Sequence, residues 1–180
     1  MLKTFYREHI AASLVLTLVR IYLGWEWLNA GWHKVFGPEP FNAAGFLKGA
    51  VQKATGDHPA VQSWWADFLT HVAIPNAKLF SFLVAWGELL VGLGLILGCF
   101  TTFAALMGIV MNFAFLLSGT TSTNPQMLIL ALLLIAAGAN ARRIGLDRWV
   151  LPYLRNMLNR YRNGGKGTTT NTKLPPVEAH

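Results

Sequence analysis

The chain has 180 residues, of which 53% are hydrophobic and only 13% charged, about half the charge of an ordinary soluble domain. One cysteine, Cys99, excludes an internal disulfide and any multi-cysteine zinc or iron–sulfur site. The net charge of +7 is not a nucleic-acid footprint: from Ala141 to His180 eight Lys/Arg stand against two acids, whereas Val35 to Lys78 balances three against three. The composition points to an all-α protein in a lipid bilayer, and segment lengths set its outline.

Residues 1–9, with Lys3 and Arg7, read as a short cytoplasmic N-terminus. A membrane helix needs about 20 mostly apolar residues. The first candidate covers 10–32, with Arg20 and Glu26 as its charges. Arg20 interrupts the apolar run and no A-x-A site follows, so this reads as an uncleaved span rather than a leader. Residues 36–76 form a polar connection holding two apolar runs at helical spacing, Ala43–Val51 and Val61–Val72, parted by Gly56 and Pro59. They predict two short amphipathic helices over the outer mouth of a bundle. The second span covers 79–98 with Glu88 as its charge, the third 103–119 with Asn112, and the fourth 125–140. The connections between the last three are tight turns. The expected fold is an integral membrane four-helix up-down bundle. A basic amphipathic helix at 150–163 follows, with arginines beside an apolar stripe suited to anionic lipid. Residues 164–180 read as a disordered tail. Four crossings put both termini on one side, and the basic tail makes that side cytoplasmic. The expected location is the cell membrane, multi-pass.

Charges inside spans are costly and mark functional candidates. Counted inward at 1.5 Å per residue, Glu26 lies about 13 Å deep, Glu88 about 16 Å, Asn112 about 14 Å and Arg20 about 22 Å. The spacing permits one buried cluster of Arg20, Glu26, Glu88 and Asn112, with Arg20–Glu88 as an interhelical clamp or part of a site. One arginine against two carboxylates leaves a surplus acid that would keep its proton or borrow His33 or Lys34. Such an acid beside an arginine suits a quinone, whose reduction takes two protons, and equally a proton relay. Glu26, Asn29 and His33 line one face of the first span. Trp25, Trp27, Trp32 and Trp86 crowd the outer half, as interfacial anchors or as walls for a flat ring. Only His9 and His33 adjoin a span, at opposite ends, so convergent haem or metal ligands are not expected.

Three segments carry a family resemblance. Arg20, Gly24 and Gly31-Trp-His-Lys34, then Gly87-Glu88-Leu-Leu-Val-Gly92 with Gly98, then Asn140-Ala-Arg-Arg-Ile-Gly145-Leu-Asp147 resemble, in order and spacing, the DoxX/DoxD membrane family. The long outer segment resembles the DoxD type. The resemblance implies a four-helix membrane protein tied to redox chemistry. The DoxD-type member is the membrane subunit of thiosulfate:quinone oxidoreductase, which works with a DoxA subunit. On this reading Arg20, Glu26 and Glu88 are the catalytic candidates. Trp27, Asn29, His33, Lys34, Trp86 and Asn112 are quinone- or substrate-binding candidates. Quinone is the cofactor or ligand, and no metal is expected. The bilayer and a second protein subunit, DoxA-like or a soluble redox enzyme, are the partners, and a homo-oligomer is compatible with the pattern. Two alternatives belong to other classes: a non-catalytic scaffold that docks a soluble redox or detoxification enzyme, and a small transporter or proton pathway.

Overall fold

The computed structural model describes residues 9–164. The expected cytoplasmic start and the tail beyond Gly164 lie outside the described residues. Within them the chain is all-helical: α1 (Ile10–Phe36), α2 (Ala44–Gln52), α3 (Ser63–Phe68) continued by a π-helical turn (Leu69–Ala73), α4 (Ala77–Leu97), α5 (Thr101–Leu117), α6 (Asn124–Ala137) and α7 (Asp147–Gly164).

The apolar helices α1, α4, α5 and α6 pack in a closed ring, each against its two neighbours. Their shared core runs from Leu16, Leu23 and Trp27 through Val91 and Leu95 to Ala105, Ile109, Ala131 and Leu134. Glycines set the tightest seam, α1 against α4. A Cβ on Gly31 would lie 2.8 Å from Leu89 Cα, and one on Gly92 would lie 2.6 Å from Leu28 Cα. Gly24 faces Ile96 in the same way. Small residues at three successive turns let the backbones nearly touch. The contacts fix an antiparallel register in which α1 runs out around Val84, so the first turns of α4 project past it.

Outside this ring large apolar side chains face outward on every wall, among them Leu14, Leu18, Phe82, Leu90, Phe103 and Val110. A soluble monomer rarely leaves so much apolar surface uncovered. Two helices are long and apolar enough to cross a bilayer, α1 with 27 residues and α4 with 21. The expected third and fourth spans appear as helices of 17 and 14 residues. At 1.5 Å per residue these rise about 26 and 21 Å, less than a bilayer core of about 30 Å.

The connection from α1 to α4 folds back over one end of the ring. Here α2, α3 and the π turn have a second, separate core of Ala43, Leu47, Ala50, Leu69 and Ala73, joined by Phe41, Phe68 and Phe80. The two helices fall where the apolar spacing places them. The second loosens into i→i+5 bonding before Pro75, with Ile74 N donating to Leu69 O at 2.8 Å. Trp65 Nε1 donates to Ser118 Oγ (2.9 Å) and Lys53 Nζ to Gly119 O (3.0 Å), fastening this cap to the α5–α6 turn.

At the opposite end the chain ties a knot. Asp147 N donates to Gly98 O (2.8 Å), and Leu146 N donates to Leu97 O (3.1 Å). The Asp147 carboxylate accepts from Phe100 N (2.6 Å) and Thr101 N (2.9 Å). Phe100 sits at the N-cap of α5 in a left-handed conformation and offers no capping side chain, so Asp147, 47 residues on, supplies the cap.

Candidate functional site

The register separates the polar residues that depth counting drew together. Side chains on a helix lean toward its N-terminus. On α1 that lean carries Arg20 away from Glu88, into the knot. Its guanidinium lies against Gly98 and Gly145, donates to Ala141 O at 3.3 Å, and feels the charge of Asp147. Gly98 stands ten residues beyond Glu88, about 15 Å along α4. The expected Arg20–Glu88 clamp does not form, and Arg20 holds the closing turn instead.

The same lean brings Lys34 and Glu88 together. Lys34 reaches back along α1 toward Ala30 O (3.4 Å), while Glu88 on the antiparallel α4 leans the other way. Their Nζ and Oε2 meet at 2.6 Å, with the Glu88 side chain 3% exposed and that of Lys34 25%. Lys34 was expected as one of two cations the surplus acid could borrow; His33, the other, is exposed. Depth counting misplaced Glu88 relative to α1, because α4 begins well beyond the end of α1.

The pair floors a chamber of about 330 Å³ between the ring and its cap. Phe41, Phe46, Trp65, Phe68, Phe80 and Phe115 wall it, and Ser118, Thr120 and Asn124 edge it from the α5–α6 turn. Phe46 meets Phe115 edge-on with ring centroids 6.0 Å apart, and Trp65 stacks on Phe68 at 5.0 Å. Lys34 Nζ also lies 5.4 Å from the centre of the Phe41 ring, an attraction the ring quadrupole supplies. A charged pair inside an aromatic box is what a small-molecule site requires: apolar walls with a few placed polar groups.

The other expected site residues scatter. Glu26 is half-buried on another face of α1 and has no hydrogen-bond or ion-pair partner among the described residues. Asn29 and His33 are exposed, and Trp86 is 40% exposed beside a separate groove that shares Lys34 and Phe41 with the chamber. Trp27 and Asn112 are both buried in the ring. The indole N–H of Trp27 rests against Gly108, and neither it nor either polar atom of the Asn112 amide finds a partner. Phe41, Phe46, Trp65, Phe68, Phe80 and Phe115 line the chamber without having been site candidates from the sequence. Three of them, Phe46, Trp65 and Phe68, belong to the runs at helical spacing, but the convergence of all six needs the tertiary fold.

The DoxX family model matches residues 15–120, a stretch holding all but the first five residues of α1, the cap, α4, α5 and every chamber residue except Ser122 and Asn124. The chain belongs to the DoxX family. That membership, with the outward apolar walls, makes it a membrane protein. No curated protein and no solved structure matches the chain. In this DoxX-family protein the match takes in Arg20, Gly98, Phe100 and Thr101 from one side of the knot and ends before α6 and the knot's other side, Ala141 to Asp147.

Proposed function

We propose that this DoxX-family protein is the membrane subunit of an oxidoreductase that passes electrons to a quinone, and that the aromatic chamber holds the quinone head group. The observation that carries the reading is the Lys34–Glu88 pair on the floor of a 330 Å³ aromatic box. The volume lies within the range of roughly 300–1,000 Å³ typical of small-molecule sites. Flat aromatic walls suit a flat ring. The Lys34 ammonium has three N–H donors, and two are spoken for by Glu88 Oε2 and Ala30 O. The third is available to a quinone carbonyl.

When bound, a quinone supplies the two-electron acceptor, and its reduction consumes two protons. Lys34 orients the carbonyl and offsets negative charge gathering on its oxygen. Lys34 passes a proton toward that oxygen, and the Glu88 carboxylate takes up a proton from water entering at the chamber's polar edge and returns it to Lys34, which restores the pair before the second proton is needed. The aromatic walls exclude bulk water, which strengthens each of these interactions. Electrons come from a partner redox subunit, with thiosulfate the donor that the DoxD resemblance suggests. The protein sits in the cell membrane with α1, α4, α5 and α6 all crossing and both termini cytoplasmic; the basic segment after α6 supports that orientation. The chamber then faces outward.

The test is quinone analysis of the purified protein, followed by reduction of a short-chain quinone with the partner present. Glu88→Gln keeps the hydrogen bond to Lys34 but cannot exchange a proton, so abundance should match wild type while turnover falls at least about a hundredfold. Undiminished function in Glu88→Gln would favour a second reading, a non-catalytic scaffold for a soluble redox enzyme. That reading draws support from Arg20, whose contacts in the knot are architectural.

A further inference from the structure

A second cavity lies at the other end of the molecule, where α7 leaves the ring. It is an open groove of about 1,040 Å³. Arg142 and Arg143, from the turn after α6, line one side, and Arg148 and Arg155, from α7, line the other. Arg148 and Arg155 are seven residues apart, two helical turns, and so share a face. Asp147 is the acid in the lining, but its carboxylate is committed to Phe100 N and Thr101 N. Among the described residues no carboxylate is placed to neutralise Arg142, Arg148 and Arg155, so the groove concentrates positive charge.

The rest of its lining sets Asn156 and Asn159 beside apolar side chains, Ile144 and Leu151 prominent, and it opens at Ile10 onto the outward apolar wall of α1, where Ile10 and Leu14 are each 55% exposed. Along α7 itself Trp149, Tyr153, Leu158 and Tyr161 are exposed, as expected of a helix lying in the head-group layer. A free anion would account for the arginines and leave the apolar continuation unexplained. A molecule with a phosphate at one end and hydrocarbon at the other accounts for both.

We infer that this groove is a binding site for the head group of an anionic phospholipid, its acyl chains lying against α1. The site owes nothing to the quinone chamber and stands if that reading fails. The test is lipid retention by the full chain in detergent, read by native mass spectrometry with phosphatidylglycerol or phosphatidylcholine added. Wild type should retain the anionic lipid preferentially; equal retention of the two overturns the inference, whatever the variants do. R148Q/R155Q should weaken phosphatidylglycerol retention roughly tenfold to thirtyfold. R160Q/R162Q removes the same charge from the same helix at positions outside the groove lining, and in a built site should cost clearly less retention than R148Q/R155Q. Equal losses in the two double variants would mean diffuse attraction to a charged helix and overturn a built site. Inorganic phosphate at millimolar concentration should not displace the lipid, and displacement would assign the groove to free anions.

Discussion

Replacing Gly31 by alanine adds one methyl group to the seam between α1 and α4. Placed on the existing backbone, it would lie 2.8 Å from Leu89 Cα and 2.9 Å from the Glu88 carbonyl carbon. Carbon atoms rest at about 3.5–4.0 Å, so something must move by about 1 Å. The obstacles are backbone atoms inside a helix, which cannot rotate aside as a side-chain tip can. Overpacking of this kind costs about 1–3 kcal/mol. Thermal unfolding in detergent should register a loss of several degrees, at roughly 2–4 °C per kcal/mol for a chain of this size. Gly49→Ala is the matched control: Gly49 lies in α2 with nothing within 4 Å of a new Cβ. There alanine should stabilise by up to about 1 kcal/mol through helix propensity. Because the crowded atoms include the Glu88 backbone, Gly31→Ala should also weaken binding of a quinone analogue. A Gly31→Ala protein unfolding at or above the wild-type temperature would refute the close α1–α4 approach, and with it the register that pairs Lys34 with Glu88.

Asp147→Ala should cost about 3 kcal/mol in thermal unfolding, since it removes two charge-assisted hydrogen bonds from the α5 N-terminus and the counter-charge of Arg20; Asp147→Asn should lose less. Asn112→Leu should leave unfolding temperature unchanged or raise it, because the buried amide has no partner to lose, and quinone-analogue affinity should hold. Trp65→Phe deletes the bond to Ser118 while keeping the aromatic wall, at about 1 kcal/mol. Hydrogen exchange should quicken in α2 and α3 with α4 and α5 unaltered.

Helices were legible in the sequence because their signals are local: apolar runs, spacing of three and four, and Gly or Pro at the breaks. Even the paired runs of the cap declared themselves and their place over the mouth of the bundle, although nothing local showed which of their side chains would meet the ring. Depth counting failed for the charges because it assumed that α1 and α4 share a boundary. That offset is set by the glycine seam, whose register depends on which glycine meets which backbone. The lean of side chains toward the helix N-terminus could have been applied from sequence alone. It sends Arg20 away from the outer carboxylates and Lys34 toward them, and would have replaced the Arg20–Glu88 expectation with the pair that forms. The role of Asp147 was out of reach, since a cap supplied from 47 residues away leaves no mark near the helix it caps.

The molecule has two hydrophobic cores, and the smaller one roofs the chamber. That roof is fastened to the α5–α6 turn by Trp65 and Lys53, to α5 by Phe46 against Phe115, and to α4 by Ala43 N donating to Ser81 Oγ. None of these contacts involves the glycine seam. Substitutions in the cap can therefore reshape the roof of the chamber without touching the backbone contacts that hold α1 against α4.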